Sequence, residues 1–236
     1  MAYIVINGKS SKEVTGLLIQ SLPPITKPKI RTSIEEIDGR DGDIVNTLGY
    51  SAYDKTISVG LRGDYNVDDV INFFNTSGKI TFSNEVDKYY NFAIYDTANF
   101  NKLIRFKTAD INIHCQPFKY SVDEPSITWK GSDTIAEIGV RNNGNIYSKP
   151  KITIKGAGDC FVYIKSELIL TLQLSPNGET IIIDVEKMNA TDPVGNYLNR
   201  RVTGDYNKLV FQPGHNNLVV MGELESVTVE NITRWV

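Results

Sequence analysis

Leu168-Ile169-Leu170-Thr171-Leu172-Gln173-Leu174 is followed, after Ser175, by Pro176-Asn177-Gly178 and then by Ile181-Ile182-Ile183-Asp184-Val185. Leu168, Leu170, Leu172 and Leu174 alternate with other residues, so one face of an extended segment is apolar. Ile181, Ile183 and Val185 repeat the alternation, and the Asn-Gly between the two runs is a strong hairpin signal. The same period of two recurs outward along the chain. Lys55 to Arg62 sets Ile57, Val59 and Leu61 against Thr56 and Ser58, and Asp110 to Cys115 sets Ile111, Ile113 and Cys115 against Asp110, Asn112 and His114. Cys160 to Ile164 reads as strand, and late strands are expected at Lys208 to Phe211, Leu218 to Met221 and Ser226 to Ile232. The fold class is mainly β.

One stretch reads as helix, over about residues 66–76. Asn66 can cap it, Asp68 and Asp69 sit in the first turn where the helix dipole favours acids, and Val67, Val70, Ile71 and Phe74 share a face. Gly78 is a candidate stop. Asp38 to Asp54 reads as a long loop. The polar stretch Lys119 to Pro125 suggests a boundary, with one domain over 1–122 and a second over 123–236. At about 100 residues per sandwich, a 236-residue chain has room for two β-sandwiches, the first carrying the helix and the second purely β.

Composition narrows the function. A net charge of -3 argues against nucleic acid as the main partner, because phosphate binding wants a basic face. No basic segment followed by an apolar run opens the chain, and no apolar run approaches the ~18 residues of a membrane span, so neither a secretory signal nor a span is expected. Two His and two Cys leave little for hydrolytic, redox or zinc chemistry. Alternation sends His114 and Cys115 to opposite faces of a strand, and Cys115 and Cys160 read as free thiols in separate halves. His215, in a turn at Pro213 to Asn217, has no His or Cys spaced to join it.

The remaining constellations give no catalytic or cofactor site. Asp38-Gly39-Arg40-Asp41-Gly42-Asp43 crowds carboxylates, but the twelfth position of an EF-hand count is Gly49 instead of Glu. It reads as a tight charged turn, a non-standard cation site, or an inter-subunit loop in which Arg40 pairs with a neighbour's carboxylate. Arg62-Gly63-Asp64 separates a strand from a helix cap. Gly156-Ala157-Gly158 is followed by strand instead of the helix that a dinucleotide fingerprint needs. Of the carboxylate pairs, Glu35-Glu36 would point to opposite faces, and Glu223 and Glu225 are expected in a turn. No catalytic residue, metal or cofactor is expected.

Taken in order, several stretches resemble one family. They are Ile34-Glu35-Glu36-Ile37-Asp38-Gly39-Arg40-Asp41-Gly42-Asp43, Leu48-Gly49-Tyr50, and Cys115-Gln116-Pro117-Phe118-Lys119-Tyr120. Asn142-Asn143-Gly144-Asn145, Ser148 to Gly158, Phe211-Gln212-Pro213-Gly214-His215-Asn216 and Arg234-Trp235 follow. The chain resembles the distal tail (Dit) proteins of long non-contractile-tailed bacteriophages over nearly its whole length. The resemblance implies an N-terminal β-sandwich that forms a hexameric ring and a galectin-like C-terminal β-sandwich at the ring's periphery. It implies one ring or two stacked rings, joining the tail tube protein to the tail-tip (Tal) protein and to receptor-binding or adhesion proteins. The implied location is the distal tail of the virion, assembled in the bacterial host cytoplasm. Arg40, Asp41 and Asp43 are the expected interface residues. His215-Asn216-Asn217-Leu218 breaks the sugar-reading run of galectins. The alternative is a stand-alone carbohydrate-binding β-sandwich.

Overall fold

The computed structural model describes residues 2–95 and 100–236. The chain is mainly β and divides into two compact units, Met1–Val122 with Val236, and Asp123–Trp235.

The first unit runs β1 (Ile4–Ile6), β2 (Lys9–Ser10), β3 (Leu17–Ser21), β4 (Ile30–Glu36), β5 (Asp43–Tyr50), β6 (Tyr53–Leu61), α1 (Val67–Phe74), β7 (Ser77–Phe82), β8 (Lys88–Ala93), α2 (Phe100–Phe106) and β9 (Thr108–Ser121). Its sheet has the order β2-β1-β7-β8-β9-β6-β3, so β3 ends it. The alternation in β6 and β9 resolves as expected. Ile57, Val59, Ile111, Ile113 and Cys115 are buried. On the other face, Ser58 donates to Asp110 (2.6 Å) and Thr56 to Asn112 (2.8 Å) across the strand pair.

Helix α1 begins where the cap predicts, with the Asn66 side-chain oxygen accepting from the Asp68 N–H at 2.9 Å. Val70, Phe73 and Phe74 are its buried residues, so Phe73 takes the core position that spacing gave to Ile71. The helix ends at Phe74, and Gly78 lies inside β7.

Two expectations for this unit are corrected. A second helix, α2, joins the single one expected, and Leu103 is its buried anchor. Seven residues give two turns and too little periodicity to stand out. The long loop at 38–54 is largely a strand: β5 pairs with β4 from Glu36↔Asp43 to Ile30↔Tyr50. The two form a separate ribbon that joins no other sheet among the described residues.

The second unit runs β10 (Ile127–Lys130), β11 (Ile135–Asn142), β12 (Lys151–Ile164), β13 (Glu167–Gln173), β14 (Glu179–Asp184), β15 (Asn189–Thr191), β16 (Val202–Gly204), β17 (Gly214–Glu230) and β18 (Arg234–Trp235). The expected strands at 218–221 and 226–232 are one continuous strand, β17. That strand also takes in His215, Glu223 and Glu225, which had been expected in turns. The strand expected at Lys208–Phe211 is replaced by a short 3-10 turn at Tyr206–Lys208, and Phe211 makes only an isolated bridge to Ser148. Asp205 explains the change: its side chain accepts from the Asn207 N–H at 2.9 Å and caps the turn.

The architecture of this unit follows from one bend. β12 and β17 pair along their length, but the register breaks between Lys155 and Phe161. Before the break β12 pairs with β14, and after it with β13. β17 likewise pairs with β11 over Met221 to Gly214 and with β10 over Ser226 to Val229. The two long strands therefore carry one sheet around a corner onto itself. Ile152, Ile154, Val227 and Val229 from one half share a core with Val162, Leu170, Leu172, Leu218 and Val220 from the other. Glycine makes the corner possible. A Cβ on Gly156 would lie 2.3 Å from the Glu223 carbonyl oxygen, and one on Gly222 (φ +149) would lie 2.6 Å from Cys160 Sγ. The Gly156-Ala157-Gly158 run is thus a sheet corner.

Candidate assembly interface

The expected interface residues sit at the tip of the β4–β5 ribbon. Arg40 and Asp41 lie in the turn between the strands and Asp43 begins β5; all three are exposed. The Arg40 N–H donates to the Ile37 carbonyl at 3.1 Å and closes the turn. The sequence reading did not mark the apolar residues behind this tip. Ile34 and Val45 are cross-strand partners, 59% and 57% exposed, and Leu48 is 58% exposed. One residue pair further toward the tip, on the same face, Glu36 stands opposite Asp43. Like charges directly opposite are unfavourable in an isolated pair. A two-stranded ribbon is itself marginal in water, and this one offers an apolar pair and an acidic pair together on an unpaired surface.

The ribbon's base is fixed to the rest of the unit. Residues 22–29, with Pro23, Pro24 and Pro28, lead into β4 without regular structure. Side chains of β6 and of the turn after β7 donate to their carbonyls: Asn84 to Pro23 (3.2 Å), Lys55 to Pro24 (3.1 Å) and Tyr53 to Thr26 (3.4 Å). The Ser51 N–H donates to the Lys29 carbonyl at 2.8 Å and closes the base. Lys55 is 3% exposed, and its ammonium lies 5.0 Å from the ring centres of both Tyr53 and Tyr90. Burial lowers its pKa. Behind it, the Tyr90 hydroxyl donates to Glu85 (2.8 Å), whose other oxygen pairs with the buried Lys119 ammonium at 2.8 Å. Burial pushes Tyr53 up to about 12 and raises Tyr90 further.

The remaining candidate residues have structural surroundings. Cys115 is buried and His114 points away from it, its Nδ1 2.7 Å from Asp54. Burial pushes the Cys115 thiol up to about 12 and Cys160 up to about 11, and both are free. His215 is exposed on β17 opposite Arg141. Glu35 and Glu36 are exposed on opposite faces of β4. Glu223 and Glu225 share a face of β17 beside a corner groove of about 600 Å³ that Lys155, Ser132 and Thr134 also line. Glu225 is paired with Lys155 at 2.5 Å. Among the described residues, no group of three or more His, Cys, Asp or Glu could hold a metal ion, and no helix is long and apolar enough to cross a membrane.

In the second unit the motifs that carry the resemblance meet in one buried polar knot. Asn142 donates to the Ile146 and Phe211 carbonyls (3.0 Å each) and accepts from the Gly144 N–H at 2.9 Å. Ser148 donates to Asn231 at 2.6 Å. Asn216 exchanges hydrogen bonds with the Gln212 main chain at 2.8 and 2.9 Å. Arg234 Nε donates to the Tyr147 carbonyl at 2.7 Å. A Cβ on Gly144 would come 2.1 Å from the Arg234 carbonyl oxygen. These residues hold turns together.

No protein-family model matches the sequence, and no curated protein does. Solved structures do. The chain is similar to the Dit protein of SPP1, described as a paradigm of the hub adsorption apparatus in phages infecting Gram-positive bacteria. The TM-score is 0.70 with 18% identity over 100% of both chains. It is also similar to a chain of the phage P2 baseplate in its activated conformation with Ca, with a TM-score of 0.50, 8% identity, and 99% and 98% of the two chains covered. The strontium form of that baseplate gives a TM-score of 0.50 and 10% identity over 98% and 97%. The fold is that of Dit.

Proposed function

We propose that this protein is a structural component of a phage tail baseplate. Six copies form a ring hub in the distal tail of the virion, and the ring joins the tail tube protein to the tail-tip (Tal) protein and to receptor-binding or adhesion proteins. The observation that carries this reading is the end-to-end match to the SPP1 Dit fold, with no part of either chain left over. The chain performs no catalysis in this role. The first unit makes the ring and the second, galectin-like unit faces outward from it.

The β4–β5 ribbon supports the ring. A closed ring needs a heterologous contact, in which two different patches of one subunit meet across each interface. An exposed ribbon with a fixed base suits one of those patches, with Arg40, Asp41 and Asp43 at its end. Burying Ile34, Val45 and Leu48 on a neighbour would contribute about 1.5–3 kcal/mol for each side chain fully covered. Negative-stain microscopy of the purified chain tests the reading. Ring-shaped particles with sixfold symmetry are expected, and a field of separate small particles at every concentration would overturn it.

The carbohydrate-binding reading has one observation in its favour. Tyr197, 73% exposed, borders a groove of about 390 Å³ that Asn189, Thr191 and Asp184 also line. A glycan array decides it: binding that Tyr197→Ala abolishes supports a saccharide role, and a blank array removes it.

A further inference from the structure

We infer that Asn177 is a site of spontaneous modification, at which the side-chain amide is converted to aspartate or isoaspartate. The Asn177-Gly178 pair closes no hairpin. β13 and β14 each pair with β12, so Ser175 to Gly178 connect two strands that do not pair with each other. Pro176, Asn177 and Gly178 are exposed. Gly178 has φ +84, and a Cβ built there would meet only the Gly156 carbonyl oxygen, at 3.8 Å, so its nitrogen is open to approach.

The chemistry needs only water. The Gly178 nitrogen attacks Asn177 Cγ, a C–N bond forms, and a five-membered succinimide closes. The Cγ–Nδ2 bond breaks, and Nδ2 leaves as ammonia with the proton that Gly178 gives up. Water then opens one or the other ring carbonyl. One opening gives aspartate, and the other gives isoaspartate, whose main chain runs through the former side chain. The side chain must swing over the following peptide group for the ring to close, so the rate follows local freedom.

Three Asn-Gly pairs occur in the sequence, and the structure separates them. Asn7 is locked. Its Oδ1 accepts from the Lys79 N–H at 2.8 Å and its Nδ2 donates to the Ser77 carbonyl at 2.9 Å, so both ends of the amide are held against β7. At Asn143-Gly144 the Gly144 N–H donates to the buried Asn142 side chain at 2.9 Å, and a Cβ on Gly144 would come 2.1 Å from the Arg234 carbonyl oxygen. The main chain there is packed too closely to form the ring. Among the described residues, the Asn177 side chain makes no hydrogen bond. Its turn is held by the Gly178 N–H, which donates to the Ser175 carbonyl at 3.0 Å, and by the Asn177 N–H, which donates to Ser175 Oγ at 3.4 Å. Such bonds in an exposed turn open readily.

The product changes the charge of its surroundings. Asn177 lines the corner groove with Glu179, Glu223, Glu225 and Lys155, and Lys155 is already paired with Glu225 at 2.5 Å. The modification therefore adds a fourth carboxylate to a groove whose cation is taken, in one irreversible step.

The test incubates the folded full chain in warm, mildly alkaline buffer and maps its peptides by mass spectrometry, with isoaspartyl methyltransferase labelling to count isoaspartate. Conversion at Asn177 should run about ten-fold faster than at Asn7 or Asn143 in the folded chain, and the three rates should converge in urea. Ion exchange should show a new acidic form with age. Asn177→Gln keeps the amide but needs a larger ring, and it should not acquire that form. No conversion at Asn177, faster or equal conversion at Asn7 or Asn143 in the folded chain, or an Asn177→Gln chain that gains the same acidic form overturns the inference.

Discussion

The molecule contains two long antiparallel strand pairs that solve the same problem differently. β12 and β17 break register at a glycine corner and fold back, so both arms of the pair bury their apolar faces in one core. β4 and β5 also shift register, where Gly49 stands opposite Arg31, but among the described residues no sheet covers them, and they leave Ile34, Val45 and Leu48 more than half exposed. The first pair finds its burial partner within its own unit. The second has the same kind of side chains and lacks one. That contrast locates the part of the chain that we propose is covered by another copy.

The largest expected effect sharpens the contrast by truncation. Leu172→Ala, at a fully buried site, should cost about 3 kcal/mol in urea unfolding of the monomer. Ile34→Ala should cost under about 0.5 kcal/mol by the same measurement while weakening assembly. Equal losses of monomer stability would mean that the arm is covered within its own chain. Next is the corner itself. Gly156→Val places a side chain against the Glu223 carbonyl and should cost about 2–3 kcal/mol. Unchanged stability there would show that the bend does not depend on glycine.

A smaller effect should appear with pH and should separate the two units. In the first unit, Cys115 and Tyr53 titrate normally at 9.0 and 10.0 and are both pushed up to about 12, and Tyr90 is raised as well. Between about pH 9 and 12 the unfolded chain has released protons that the folded unit keeps, so its stability falls as pH rises. Lys55 acts in the opposite sense. Its lowered folded pKa means that raising the pH toward 10.5 relieves the burial of its charge. The second unit has fewer such groups, Cys160 at about 11 and a raised Tyr206. Alkaline unfolding followed by circular dichroism and tyrosine absorbance should therefore show the first unit melting at lower pH. The smallest effect is local: Lys55→Met removes the donor to the Pro24 carbonyl, and trypsin should cut after Lys29 or Arg31 several-fold faster with little change in the global unfolding midpoint.

Legibility in the sequence followed burial. β6, β9, β13 and β14 were plain as strands because one face of each is largely buried, and that asymmetry creates a period-two pattern; the hairpin expected at Asn177-Gly178 does not form, since β13 and β14 each pair with β12 and not with each other. Helix α1 was plain because Asn66 caps it and its apolar side chains cluster on a face. β5 was missed for the converse reason. Neither of its faces is buried, so Asp43 to Tyr50 mixes apolar and polar residues without alternation and passes for a loop. The tip residues Arg40, Asp41 and Asp43 were legible from charge and glycine. The Ile34–Val45 pair was not, because its meaning depends on cross-strand register. β17 was read as two strands because Gly222 and its flanking glutamates look like a turn when the corner they form is out of view. The second-unit motifs that pointed to a family proved to be a structural knot around Asn142, Asn216 and Asn231.

We propose that the β4–β5 arm is an assembly surface. Sedimentation velocity of the full chain, alone and as the Ile34→Asp, Val45→Asp double variant, tests it most directly. A single species at six times the 26.4 kDa chain mass is expected for the wild type, and a folded monomer for the variant. A wild type that stays monomeric across a broad concentration range, or a variant that still assembles, would contradict it.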